Sequence, residues 1–206
     1  MYKLEDTITA ISSPGSDNRV IVRTAGCRTI SVILDYFVPS QKIKPGIKNG
    51  ILKVDNQLQI ECKLYVFLKP ASYTGEDMAE FHFWSNPEIT QKVLQNFFDA
   101  GCRLAGPGEF TARAYLNGKL DLSQAEAVGQ IITGSNNYQL TAAEKLLTGG
   151  LTAKINQISE KLIDLLSYVE VGMDFVEEEI EFLTVDEKAK KIEDIKTDLE
   201  KILDTG

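Results

Sequence analysis

Few residues in this 206-residue sequence combine a reactive side chain with a telling spacing, and Glu80 is the first of them. It stands in an alternating run with Phe81 and Phe83 on the other side, so its carboxylate projects from one face of a strand. Two acceptor oxygens in one plane suit a pair of neighbouring N–H donors, although the same pattern also describes a solvated strand residue. Arg23 ends another strand, and Lys119 follows Asn117-Gly118 at a helix end, where the helix dipole favours a cation. Glu109 and Arg113 stand four apart on one helical face, the spacing of an ordinary surface ion pair. Tyr73 and Trp84 are aromatic side chains that stack on a flat ligand or serve as core and rim. The acidic run from Glu170 to Glu181 reads either as a metal-binding cluster or, more simply, as a solvated helix end; no metal site is expected.

The elements that must hold these groups fall into two halves. Up to about Trp84 the patterning is that of strands: Thr7 to Ser12, Arg19 to Arg23, and the alternation Leu58, Ile60, Cys62, Leu64, Val66, Leu68. Ile30, Ile33, Leu34 and Phe37 recur at helical spacing between them, and Asp55-Asn56 supplies a turn before the long strand. Asn86-Pro87-Glu88 opens a helix that Gly101 closes. Ser123 and Glu126 have the spacing of a capping box for a helix to about Thr133. Beyond it, the seam Leu151, Ile155, Ile158, Leu162, Leu165, Val169 is matched by Ile192, Ile195, Leu199, Ile202 behind a second capping box, Thr184 and Glu187. An antiparallel pair of long helices satisfies both seams and still leaves apolar surface for further helices or a second copy of the chain. Gly149-Gly150 interrupts the first seam, where a bend or break is expected. The expected class is α+β, with an amino-terminal mixed α/β domain over 1–119 and a helical portion over 120–206.

Charge and composition exclude several functions. With 22 basic residues against 30 acidic ones the net charge is -8, so the long-range field repels phosphate backbones and a free-standing nucleic-acid binder is not expected. Charges in Met1 to Asp6 stand where a signal peptide needs an apolar run, and no stretch reaches the roughly 18 apolar residues of a membrane span, so a cytoplasmic chain without membrane contact is expected. Cys27, Cys62 and Cys102 are odd in number and lack a CxxC pair, and His82 is the sole histidine, which argues for reduced thiols and against a zinc site. No glycine-rich phosphate loop occurs, so the sequence has no cradle for a nucleoside triphosphate.

The run GPGEFTARAYLNGKLDLSQAEAV from Gly106 to Val128 closely resembles the PGEF(T/S)xRAFLNGKLDLxQAEA signature of the MnmE (TrmE) family of tRNA-modification GTPases. SYTGED from Ser72 to Asp77, with Glu80, resembles that family's SxTGEDxxE block. Asp6-Thr-Ile8, Pro14-Gly15 and Arg23-Thr-Ala-Gly26 are similar to its amino terminus, and Val169-Glu170, Asp174-Phe175 and Glu177-Glu178 to its acidic IExxIDFxEE stretch. The chain departs from the family at Ser16-Asp17-Asn18-Arg19, where a GRGGxG stretch is usual, and at Trp84-Ser85-Asn86, where HGG is usual. Bulkier residues at such glycine positions reshape whatever lies beside them.

The resemblance implies an aminomethyltransferase-like domain that binds 5-formyltetrahydrofolate or 5,10-methylenetetrahydrofolate. Glu80 matches the family's pterin-contacting acid, and Arg23 and Lys119 its other ligand positions, where cations suit the anionic glutamyl tail. Arg113, Asn117, Tyr73 and Trp84 are supporting candidates, and no catalytic residue is expected in this chain. It further implies a homodimer acting on tRNA with the flavin-dependent partner MnmG. GTP, Mg and K would belong to a GTPase domain that members of the family begin at about the position of Gly206. The alternatives are a dimerisation scaffold that binds no folate, and an independent one-carbon transferase.

Overall fold

A computed structural model describes residues 5–13, 18–38, 43–174 and 184–204, and the chain divides into two compact units, Met1–Ala125 and Glu126–Gly206. The first is built on a seven-stranded mixed sheet. Its strands are β1 (Thr7–Ile11), β2 (Arg19–Ala25), β3 (Phe37–Val38), β4 (Gly46–Lys53), β5 (Gln59–Phe67), β6 (Met78–Trp84) and β7 (Cys102–Leu104), in the spatial order β3-β4-β5-β6-β2-β1-β7. All neighbours are antiparallel except β1 and β7. Helices α1 (Thr29–Tyr36), α2 (Pro87–Asp99) and α3 (Glu109–Leu116) complete the unit.

Strand alternation decides the two faces. Val20, Val22, Cys62, Leu64, Val66, Ala79, Phe81 and Phe83 are buried in one cluster with Val32 and Ile33 of α1 and Val93, Leu94 and Phe97 of α2. Phe81 and Phe97 meet at 4.9 Å between ring centroids, both fully buried, and truncating either to Ala would cost about 3–5 kcal/mol. The opposite face of β5, β6 and β2 carries Tyr65, Glu80, His82 and Arg23.

The long strand, α1 and the Asn86-capped α2 stand where their spacing places them, with the Ile89 amide donating to Asn86 Oδ1 at 2.9 Å. Strand β4 was not legible, because its run holds Gly46, Lys48, Asn49, Gly50 and Lys53. Gly50 is required there, since a Cβ would lie 2.3 Å from the carbonyl oxygen of Val38 on β3.

The helical part comprises α4 (Leu122–Thr133), α5 (Asn137–Leu147), α6 (Gly150–Asp174) and α7 (Val185–Leu203). The cap of α4 corrects the sequence reading: Asp121 and Gln124, not Ser123 and Glu126, form the reciprocal pair. The Gln124 amide donates to Asp121 Oδ1 at 2.8 Å and the Asp121 amide to Gln124 Oε1 at 3.0 Å, because the helix starts before Ser123. The box of Thr184 and Glu187 does form, and Gly149, at φ 78°, separates α5 from α6. Helices α6 and α7 run antiparallel: Lys161 bonds Asp198 at 2.6 Å, while Lys191, earlier in α7, lies over Tyr168, later in α6, at 5.4 Å. Ile158 and Ile195 are buried in this seam, but Ile155, Leu162, Ile192 and Leu199 remain 41–55% exposed. Among the described residues no helix is long and apolar enough to cross a membrane.

Candidate functional site

The register of the sheet sets Tyr65, Glu80 and Arg23 side by side in one row across β5, β6 and β2, with Lys63, His82 and Ile21 in the next. Arg23 therefore reaches Glu80 directly. Its Nε donates to Oε1 at 2.9 Å, and Nη2 forms an ion pair with the same oxygen at 2.8 Å. The other oxygen, Oε2, lies 3.0 Å from His82 Nε2. His82 lies 4.5 Å from the Tyr65 ring centre with the two planes tilted by 38°, and its Nδ1 faces Arg19 Nη2 at 3.5 Å. The Arg23 guanidinium lies 5.4 Å from the centre of the Phe110 ring, which α3 brings over this end of the sheet. Phe110 belongs to a small cluster with Ile8, Ala25, Met78, Phe67, Tyr73 and Ala105.

A second group gathers where the loop after β5 meets the end of α3. Lys119 Nζ donates to the carbonyl of Pro70 at 3.1 Å, Asn117 Nδ2 to that of Thr74 at 2.7 Å, and Tyr73 Oη pairs with Thr111 Oγ1 at 2.9 Å. Gly75, at φ +79°, permits this approach, since a Cβ would stand 3.1 Å from Asn117 Cβ and 3.3 Å from Lys119 Cγ. The two sequence blocks Ser72–Asp77 and Gly106–Lys119 are thus one structural unit.

Arg113 and Glu109 are not a surface pair. Both side chains are fully buried, within a network that also takes in Asp6, Glu76 and Arg103. Arg113 Nη2 bonds Asp6 Oδ1 and donates to Glu109 Oε1 at 3.3 Å, and its Nη1 donates to Glu76 Oε1 at 3.2 Å. Arg103 spans Glu109 with Nη1 and Nη2 at 3.0 and 2.6 Å and reaches Asp6 Oδ2 through Nε at 2.8 Å. Burial pushes the Asp6 and Glu109 carboxyls up, but Arg103 and Arg113 outweigh it and hold both below the usual carboxylate range. Glu76 goes the other way, raised by burial against the pull of Arg113 and with help from Asp6 and Glu109. Burial also pushes the thiols up, Cys62 to about 12 and Cys102 to about 11, so neither is a ready nucleophile.

The structure thus joins Arg23 with Glu80, and Lys119 with Asn117 and Tyr73. Arg23 is engaged on Glu80 itself. Trp84 stands apart, on the Glu80 side of β6 but four residues further on, about 13 Å at strand rise, and 71% exposed. His82 was noted in the sequence only as the lone histidine; its place two residues from Glu80 on one strand face was the available signal. Asp6 stood out only as part of the amino-terminal resemblance and Arg103 not at all, and no local pattern links Asp6 to Arg113, 107 residues away. Among the described residues no group of three or more His, Cys, Asp or Glu is placed to hold a metal ion, and the acidic run toward Glu181 falls largely in 175–183, outside those residues.

The fold defines a class: a mixed α/β module followed in the chain by a helical module. Two family models match those modules in that order, one described as GTP-binding protein TrmE N-terminus over residues 7–119 and one as MnmE helical domain over residues 122–206. Proteins named tRNA modification GTPase MnmE are similar along nearly all of the chain. The one from Aquifex aeolicus is 37% identical over 206 residues, covering 98% of this chain and 46% of its own length. That of Carboxydothermus hydrogenoformans is 37% identical over 209 residues, and that of Clostridioides difficile 35% over 210. The chain belongs to the MnmE (TrmE) family. It spans a little under half the length of these relatives.

Proposed function

We propose that this chain is the reduced-folate-binding and dimer-forming part of a tRNA-modification GTPase. In the assembled enzyme, working in the cytoplasm with MnmG, an aminomethyl or carboxymethylaminomethyl group is installed at C5 of the wobble uridine of tRNA. The observation that carries the reading is the Glu80 carboxylate, held by Arg23 on the sheet face opposite the Phe81 core, beside Tyr65 and near Phe110 of α3. The donor set suits the ligand, because a pterin edge is a row of N–H donors and the site's acceptor is an ionised acid beside aromatic surface.

In this reading 5-formyl- or 5,10-methylenetetrahydrofolate supplies a one-carbon unit when bound, and the protein binds and orients it. Glu80 takes the N–H edge of the pterin. Arg23 fixes Glu80 in place. Lys119, with one of its three N–H donors on Pro70, offers the others to the glutamyl carboxylates. GTP with its Mg and K ions is assigned to the family's GTPase domain, since this sequence has no phosphate loop.

Calorimetric titration with 5-formyltetrahydrofolate tests the reading. Saturable binding to the full 206-residue chain is expected, with Glu80→Gln weakening it at least tenfold, since a hydrogen bond to a charged group is worth about 1.5–3 kcal/mol. A flat titration together with a dimer in sizing at several concentrations would leave only the scaffold reading.

A further inference from the structure

We propose that Phe110 is a positioning residue of the candidate site: its ring holds the Arg23 guanidinium on Glu80, and through that pair it sets the affinity for the ligand. The consequence for affinity rests on the reading of Glu80 as the acceptor for a reduced folate; the hold on Arg23 does not.

Arg23 is a long, rotamer-rich side chain, so its place has to be imposed on it. Two contacts do so. Nε donates to Glu80 Oε1 at 2.9 Å with Nη2 in an ion pair to the same oxygen, and the guanidinium lies 5.4 Å from the centre of the Phe110 ring. Nη1 has no partner among the described residues, and the side chain is 29% exposed, so water competes for the guanidinium on its open side. A cation over an aromatic face is attracted by the ring quadrupole, which an aliphatic side chain of similar volume does not supply.

The ring is itself held. Phe110 is the second residue of α3, and the helix is tied down on either side of it. Just before it, Glu109 accepts from the Gly106 amide at 2.8 Å and from Arg103 at 2.6 and 3.0 Å. Three residues further on, Arg113 bonds Asp6 and Glu76. Phe110 also packs against the cluster of Ile8, Ala25 and Met78. The pairs Ala25–Met78 and Arg23–Glu80 are successive rows on one face of β2 and β6, so a ring seated on the first row stands beside the guanidinium of the second. The buried charges thus fix the helix, the helix the ring, and the ring the arginine that meets Glu80.

Two measurements on the full chain test this. In calorimetry with 5-formyltetrahydrofolate, Phe110→Leu keeps apolar packing but loses the quadrupole, and is expected to bind about fivefold more weakly than the native chain, with Phe110→Tyr within about twofold of native. In an Arg23→Met background the same Phe110→Leu change is expected to alter affinity by less than about twofold, because a residue that acts through Arg23 then has nothing to act on. An undiminished loss in that background, or no loss in the native one, overturns the inference and leaves the folate reading intact. The second measurement needs no ligand. Exchange of the Arg23 Nε–H proton with water, followed by magnetic resonance, is expected to quicken about fivefold in Phe110→Leu and to stay near the native rate in Phe110→Tyr. An unchanged rate in Phe110→Leu, or in Phe110→Met should the Leu chain not fold, overturns the inference. A flat titration of the native chain together with that quickening removes the folate reading and keeps the hold of Phe110 on Arg23.

Discussion

Arg113 shows how much a buried charge depends on its company. Its guanidinium is fully buried among Asp6, Glu76 and Glu109, which tie the segment before β1, the loop before β6 and helix α3 to one cation. Such a network is weak evidence of net stabilisation, but removing one partner strands the rest. Arg113→Met is therefore expected to lower the unfolding free energy in urea by about 3–5 kcal/mol; a loss within the scatter of surface substitutions would refute that account. The carboxyls give a pH dependence whose sign differs by residue. Asp6 and Glu109 are lowered, so their stabilisation is fully present above their unfolded values of about 3.9 and 4.3 and is lost as pH falls through the lower folded ones. Glu76 is raised, so its ionised form is the disfavoured one and the fold gains as pH falls through the raised value. The urea midpoint should hold or rise as pH drops through the raised range of Glu76 and fall below about 4. In Glu76→Gln the gain should vanish while the acid-side fall persists; loss of both together would show that Glu76 is not its source.

At the scale of elements, capping separates two readings of the same stretch. Ser123 and Glu126 have the right spacing for a box, yet Asp121 and Gln124 make it, two residues earlier. Asp121→Ala should cost about 1 kcal/mol and speed amide exchange in the first turn of α4, while Ser123→Ala should stay within about 0.5 kcal/mol. Equal effects would mean that the cap is not set by Asp121. The loop between β5 and β6 works in the same local way, since it receives Lys119, Asn117 and the Tyr73–Thr111 pair at three successive points. Its short reach converts two distant sequence blocks into one platform.

Over the whole molecule the dominant quantity is the net charge of -8. By itself the chain is expected to bind tRNA no more tightly than about 10⁻⁶ M at about 0.15 M salt, since attraction to phosphates scales with the basic groups that replace counterions. A mobility-shift titration showing submicromolar binding at that salt would contradict this. Along α6 and α7, Leu162 at 48% and Ile192 at 55% leave apolar side chains exposed.

What the sequence determined by itself is what depends on near neighbours and on motif. The period-two run of β5, the Asn86 cap, the Thr184 box, the glycine break at 149 and the family signature were all legible, because each is written within a few residues. Only the tertiary structure decided the contacts that the sheet's register and the α3 crossing create. Arg23 and Glu80 are 57 residues apart and Asp6 and Arg113 107 apart, separations at which no local pattern operates. The spacing of Glu109 and Arg113 describes an exposed and a buried ion pair equally well, and burial, which comes from the rest of the chain folding over them, chose between the two.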